Sequence, residues 1–339
     1  MWKTRWKRRL LRCAVFVRRH PYLFALLGLA SGIGSFILVD RQEGMASFLA
    51  AFMLAGWVLL LVEKPLRRLL SRLAGVAIPS PVVSFTTQVV HQESLFFVLP
   101  FLVLTTTLNS SQLLFTGLIA LAAAVSVWDP LYHGWLAQRR WIYLAFHALA
   151  MFVLLLTALP IIFHLRTPDT YAIAAGLSLL FAFPSLLDAI PLRSILGIGK
   201  LMALITLLAG GAWLARPAVP PVTFWLTDRT MTLELDTEER RPGTPMESFC
   251  QADLENRRVY AFTAVRAPRG LREKIWHQWI HEGQSYDKLP VDISGGREQG
   301  YRLWTYKETF PSEARGRWEV RVLTSSGQMI GKLRFTVDC

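Results

Sequence analysis

Acidic residues are scarce in this chain, and cysteine is scarcer. Against 37 Lys and Arg stand 24 Asp and Glu, and only three cysteines occur in 339 residues. The first twenty residues contain no acid at all, although eight of them are Lys or Arg. Nucleophile motifs are missing too. Ser185 and Ser194 lack the glycine-flanked elbow that presents a hydrolase serine. The glycine-rich stretch Gly295–Arg302 has no Lys-Ser or Lys-Thr after it and falls between expected strands, which excludes a phosphate-cradling loop. What the chain has in abundance is apolar sequence: 53% of its residues are hydrophobic and only 18% are charged. A chain of this length and polarity does not belong to the ordinary soluble class.

The net charge of +13 is unevenly placed. Residues 1–216 carry 19 Lys and Arg against 7 acids, whereas residues 217–339 carry 18 against 17. The excess lies between apolar runs, where basic residues set membrane orientation, so nucleic acid is not an expected partner. Seven runs are each long enough for a hydrocarbon core of ~30 Å. They cover residues 21–39, 45–62, 89–108, 112–128, 141–163, 170–190 and 195–215. With the N-terminus inside, the connections holding Lys64, Arg67, Arg68 and Arg72, Arg139 and Arg140, and Arg193 are all inside. The outer loops hold only Arg41 and Arg166. An odd span count then exports everything after Pro217.

The expected domains follow: a basic cytoplasmic segment at 1–20, a transmembrane helical domain at 21–216, and a periplasmic domain at 217–339. Residues 64–81 read as a short interfacial helix with a basic face, ended by Pro79 and Pro81. Gly28 and Gly32 form a small-residue stripe on which a second copy, or another helix of the same bundle, can pack closely. Membrane lipid is the partner implied throughout.

After Pro221 the period changes. Short runs rich in Val, Ile, Thr and aromatics occupy 222–227, 258–265, 274–281, 286–293, 301–309, 318–323 and 329–337, separated by Gly, Pro and Ser turns. Seven such strands predict an all-β antiparallel sandwich, with 234–247 as an aperiodic loop. The fold class is thus a multi-domain membrane protein, an all-α polytopic bundle followed by an all-β sandwich.

Phe249-Cys250, the segments 258–263, 276–281, 302–307 and 316–320, and in the membrane part 91–97, 129–132 and Pro220-Pro221 carry a resemblance. The chain resembles an uncharacterised bacterial inner-membrane family with a seven-span N-terminal region and a C-terminal domain of unknown function. That resemblance implies the bacterial envelope and brings no catalytic residues with it.

Two sets of site residues emerge. Inside or at the ends of spans, His91, Glu93, Asp129, His147, Asp188 and Lys200 all fall in the cytoplasmic half. Intramembrane charge is costly and usually faces a bundle interior or a cavity. An Asp188–Lys200 ion pair across the last hairpin is the simple structural account. A cluster acting on a lipid or ion, in an enzyme or transporter, is the functional one.

In the exported domain, Trp276, His277, Trp279, His281, Tyr301, Arg302, Trp304, Tyr306 and Lys307 lie on two strands that are apolar on both faces, with Arg297 in the preceding turn. Exposed aromatics beside cations suit an envelope glycan, a lipid headgroup or a periplasmic protein partner. Cation–π packing on the domain's own surface explains the same residues. His277 and His281 are about 13 Å apart along a strand, too far for one metal ion, so no metal and no cofactor are expected. Cys13 is on the reducing side, while Cys250 and Cys339 share the exported domain, where a disulfide is permitted. A non-catalytic envelope role for the β domain is the leading expectation.

Overall fold

The computed structural model describes residues 80–190, 194–255 and 257–338, with scattered helical positions between Leu26 and Val58. The basic segment, most of the first two expected spans, all but the last two residues of the expected 64–81 helix, Gly28 and Gly32, the Asp188 side chain and Cys339 lie outside the described residues. The chain divides into a helical unit (Met1–Phe101, Gly117–Ile162 and Tyr171–Trp213) and a second unit comprising Leu102–Thr116, Phe163–Thr170 and Leu214–Cys339.

Among the residues described from Ser80 onward, the helical unit draws on five long helices: α1 (Ser80–Thr105), α2 (Gln112–Val127), α3 (Arg140–Phe163), α4 (Thr167–Ala189) and α5 (Ile195–Ala215). Helix α1 begins nine residues before the expected span, with Pro81 in its first turn, where a missing N–H costs nothing. Gln88, His91 and Gln92 recur at helical spacing with Leu95 and are all buried. They form an interior face. Helix α3 is the most enclosed, with Ala150, Met151 and every residue from Val153 to Ile161 buried. By contrast α5 exposes Ile195, Leu196, Met202, Leu207 and Leu214.

Among the described residues, three helices are long and apolar enough to cross a membrane: Val83–Thr105, Arg140–Phe163 and Ile195–Ala218. A fourth arises if Gln112–Val127 and Asp129–Leu136, which meet at 96°, count as one broken span. Five of the seven expected spans fall on described residues, and only three of these, or four with the broken pair, qualify. Helix α4, with Thr167, Asp169 and Thr170 in its first turn, is not among the qualifying helices.

The second unit contains a three-stranded sheet, a five-stranded sheet and a two-stranded ribbon. In chain order the strands are β1 (Trp225–Thr232), β2 (Leu235–Asp236), β3 (Arg241–Pro242), β4 (Ser248–Phe249), β5 (Val259–Arg266), β6 (Arg272–His281), β7 (Gln284–Ser294), β8 (Tyr301–Lys307), β9 (Gly316–Thr324) and β10 (Met329–Val337). The sheets run β1-β5-β8 and β4-β10-β9-β6-β7. Their inward residues share one core: Met231, Val259 and Leu303 from the first sheet, and Ile275, Trp279, Trp318, Val320 and Phe335 from the second.

Most expected strands stand within three residues of their predicted limits. The first is displaced: Val222–Phe224 is buried in a turn closed by Phe224 N–H to the Pro221 carbonyl (2.8 Å), and the ladder starts only at Trp225. One pairing departs from the antiparallel expectation, since β4 runs parallel to β10. The 234–247 loop is more ordered than its sequence suggests. It folds back as β2–β3 and is tied by the Gly243 amide to Glu234 and by the Met246 amide to Met231. In the β6–β7 hairpin Glu282 (φ 45°) and Gly283 (φ 85°) both take the positive φ of a two-residue primed turn, whose twist matches that of the strands.

Candidate functional site

The helical unit buries a connected set of polar groups. Helix α2 ends at Val127, and a new turn begins at Asp129-Pro130, running into a π-helical segment at Tyr132–Leu136. Such π segments are rare and recur at functional sites. Pro130 has no N–H, so the Ser126 carbonyl loses its normal i+4 donor. Gln88 of α1 supplies one instead. Its Nε2 donates to the Ser126 carbonyl (3.1 Å) and to Asp129 Oδ1 (2.8 Å), and its Oε1 lies 2.8 Å from His133 Nε2.

One turn along α1, His91 is fully buried and bonded at both ring nitrogens. Nδ1 lies 2.8 Å from the Tyr132 hydroxyl, and Nε2 lies 2.8 Å from His147 Nδ1 on α3. The Tyr132 hydroxyl is also hydrogen-bonded to Tyr143. Trp57 packs on the His147 ring at 4.6 Å and donates its indole N–H to Ser94 Oγ (2.9 Å). The result is a continuous chain, Tyr143–Tyr132–His91–His147, walled by aromatic rings.

Of the span residues picked from sequence, His91 and His147 meet directly, and Asp129 is held beside them by Gln88. Glu93 is half-buried on the same helix. Lys200 is exposed on α5. The Asp188 side chain lies outside the described residues, so the proposed pairing with Lys200 has no geometry here. Sequence reasoning missed Gln88, Tyr132, Tyr143 and Trp57 as site members. The break at Asp129-Pro130 was the available signal, because a carbonyl orphaned by proline needs a donor from elsewhere. Among the described residues, no three His, Cys, Asp or Glu side chains are grouped closely enough to hold a metal ion.

In the second unit, the expected surface divides between core and exterior. Trp279 and His277 are buried and are corrected from ligand surface to core. His277 joins the two sheets: its Nε2 lies 3.1 Å from Thr263 Oγ1 on β5, and its Nδ1 lies 2.9 Å from Thr305 Oγ1 on β8. Thr305 also accepts the Trp279 indole N–H at 3.2 Å. Burial holds the His277 imidazole down at a pKa of about 4.

The remaining rings are covered by the domain's own cations. Arg240, carried by the β2–β3 ribbon, sits over Tyr301 (5.8 Å) and Trp304 (5.7 Å), and Arg297 adds a second contact to Tyr301 (5.0 Å). Arg302 donates to the Glu239 carbonyl at 3.3 Å, and Lys288 lies 5.1 Å from Trp276. Lys307 pairs with Asp287, and His281 stacks on Trp318 at 4.5 Å. Tyr306 alone of the set is well exposed, with Arg258 at 4.8 Å from its ring. Cys250 is disulfide-bonded.

A second constellation in this unit had no forewarning. Glu273 is buried on β6, and its Oε2 accepts both the Thr167 amide (2.8 Å) and the Thr167 hydroxyl (2.6 Å). Burial pushes its carboxyl above the usual range, against the hydrogen bonds from Thr167 and Ser325 and the charge of Arg166.

No curated protein sequence matches this chain. A solved structure, Pseudomonas fluorescens alkylpurine DNA glycosylase AlkC bound to DNA containing an abasic site analog, aligns over 94% of this chain and 99% of that one. At 12% identity and a TM-score of 0.23, that likeness carries no argument about fold or function. A family model described as a protein of unknown function (DUF2914) matches residues 272–337, the run from β6 to β10. Residues 3–261 match the family of unknown function DUF5924, which takes in all five helices and the chain up to β5, and the protein belongs to that family.

Proposed function

We propose that this is a polytopic protein of the bacterial inner membrane whose helical unit conducts protons through a buried tyrosine–histidine chain, with a periplasmic two-sheet sandwich as a non-catalytic accessory. Two observations support the topology. The apolar side chains exposed along α2 and α5 suit lipid rather than water. The two short loops expected outside fold with the β strands: Gln112 Nε2 donates to the Met329 carbonyl (2.8 Å), and Thr167 binds Glu273. One side of the membrane then accommodates both loops and the β domain, as the positive-inside rule requires.

The observation that carries the functional reading is the Tyr143–Tyr132–His91–His147 chain. A buried imidazole with both nitrogens bonded has two equivalent states. In one, Tyr132 O–H donates to His91 Nδ1 and His91 Nε2–H donates to His147 Nδ1. In the other, every donor and acceptor is reversed. Passage of a proton converts one into the other: Tyr132 gives its proton to His91 Nδ1, His91 gives the Nε2 proton to His147 Nδ1, and His147 releases its own Nε2 proton. Tyr132 is replenished from Tyr143, which takes up one proton from water in turn, so that one proton enters at Tyr143 for each one released at His147. No residue is left charged at the end, which avoids the cost of a lone ion in a low-dielectric interior. Gln88 fixes the helix break that brings Tyr132 to His91.

Reconstitution of the full chain into vesicles loaded with a pH-sensitive dye tests this. Wild-type protein should dissipate an imposed pH gradient faster than empty vesicles. Tyr132→Phe, which keeps the ring and removes the link, should return the rate to background. Equal rates for the two proteins, or no flux above empty vesicles, would overturn the relay.

A further inference from the structure

The outer face of β9 and β10 breaks a rule of sheet construction. Lys332 and Arg321 are direct cross-strand partners, and like charges placed opposite one another are destabilising. The conflict extends to neighbours. Arg334 stands opposite Glu319, and Arg229 of β1 reaches over to donate to the Lys332 carbonyl at 3.1 Å. Glu319 answers these cations, accepting from Arg321 Nε (2.6 Å) and Arg334 Nε (3.1 Å). Three cations thus converge around one carboxylate, with Arg229 beside Lys332 as a fourth. Burial lowers the Lys332 pKa, and Arg334, Arg321 and Arg229 lower it further against the pull of Glu319. Local conflicts of this kind are expected where a ligand completes the structure.

The surroundings say which ligand. These residues line a cleft of about 1520 Å³ that also takes in Leu104–Asn109, the end of α1 and its connection to α2. The Lys332 ammonium reaches the Asn109 carbonyl at 3.4 Å, and Leu108 beside it is exposed. Asp228, Glu247 and Glu282 line the same cleft, but Glu282 is engaged by the Arg317 amide at 2.6 Å. A cationic face level with the end of an apolar helix is placed where lipid headgroups lie.

We infer that Arg229, Arg321, Lys332 and Arg334 form a binding site for the phosphodiester headgroup of an anionic lipid, beside the α1–α2 connection. The inference rests on α1 crossing a membrane and is independent of the proton relay. Arg321 and Arg334 bring forked donors that match phosphate oxygens, and Lys332 a point charge between them. The acyl chains would lie along the exposed Leu108, Leu113 and Leu114 of the same unit.

The test uses the full chain purified in neutral detergent, with native mass spectrometry reading bound lipid. Phosphatidylglycerol should be retained in preference to phosphatidylcholine. In Lys332→Gln/Arg334→Gln, affinity for phosphatidylglycerol should fall about thirtyfold, roughly fivefold for each cation lost near an anionic headgroup. The same loss should not occur in Lys274→Gln, an exposed control on β6. Inorganic phosphate supplies the second arm: if phosphate alone displaces the lipid at equal concentration, the site is one for free phosphate and the lipid assignment falls. Equal retention of the two lipids by wild-type protein, or unchanged phosphatidylglycerol binding in the double variant, would also overturn it.

Discussion

His277 makes the β domain acid-sensitive by an amount that follows from its burial. Neutral imidazole fits its site completely. Thr305 accepts the Trp279 N–H and gives its own O–H to His277 Nδ1, leaving Nε2–H to donate to Thr263. Protonation adds a second N–H where an acceptor is needed, within a core that offers no solvent. The folded pKa is about 4 against an ordinary value of 6.5. In the window between those values the unfolded chain holds a proton that the folded chain refuses, so stability rises with pH. The contribution is whole above pH 6.5 and is lost as pH falls towards 4. At about 1.4 kcal/mol for each pKa unit, roughly 3 kcal/mol disappears across the window. For a domain of this size that corresponds to a melting shift on the order of 10 °C. Glu273 titrates with the opposite sign. Its folded pKa is raised, so acid relieves the burial of its charge and partly offsets the loss. Comparison with His277→Gln isolates the histidine, since glutamine keeps a donor and an acceptor but cannot titrate. Thermal unfolding of both proteins in detergent, followed by near-ultraviolet circular dichroism from pH 7 to pH 4, gives the answer. The wild type should lose stability more steeply by about the amount above. Parallel pH profiles would refute the claim that His277 stays neutral in the fold.

Three further outcomes follow from particular contacts. Gln88→Leu strips the Ser126 carbonyl and the Asp129 carboxylate of their donor in a buried setting; it should cost about 2 kcal/mol or more, measured as a lowered melting temperature in detergent. Arg240→Ala uncovers Trp304 and Tyr301, so acrylamide quenching of Trp304 fluorescence should rise while the melting temperature moves by no more than about 1 kcal/mol equivalent. Cys250 is bonded, and the Asp338 amide donates to the Phe249 carbonyl at 3.2 Å, next to the position where a Cys339 partner is proposed. In a Cys13→Ser background, Cys339→Ser should therefore make Cys250 reactive to maleimide, and labelling of Cys250 in the unreduced parent would contradict that pairing.

The strands were legible because one buried face and one wet face leave a period of two. Trp318, Val320 and Val322 point inward and Glu319 and Arg321 outward, as their alternation requires. The limit of that logic is β6. Its sequence is apolar on both faces, so Ile275 and Trp279 compete with Trp276 and Ile280 for the core. Trp279 and Ile280 are consecutive and both buried, at the point where the pairing with β7 skips Tyr286. No alternation rule anticipates a bulge, and the choice of inward face is made by pairing with β9, which sequence does not display. The ribbon at 235–242 was hidden for another reason. Its two pairs are too few to leave a period, and its purpose, setting Arg240 over two rings, depends on strands sixty residues downstream.

The helical site was half visible, and the missing half follows from how polar residues are placed on apolar helices. Hydropathy flags His91, Glu93, Asp129 and His147 as interruptions, because each is expensive in hydrocarbon. It says nothing of which interruptions face one another. His91 and His147 are 56 positions apart, and their contact is fixed by the packing of α1 on α3. Tyr132 and Trp57 raise no flag, since aromatic rings pass as apolar in any window average. Yet the break that delivers Tyr132 was written plainly in Asp129-Pro130. A proline inside an apolar run removes one N–H and leaves the carbonyl four residues earlier without its donor. In an apolar interior that carbonyl must be answered by another polar group. The answering residue must be a polar side chain within a span, close to the break, with an N–H to give. Gln88 on α1 meets all three conditions, and its remaining groups then hold Asp129 and His133. The orphaned carbonyl explains why Gln88 is buried in α1, and Gln88 in turn explains how the π-helical turn is held in reach of His91.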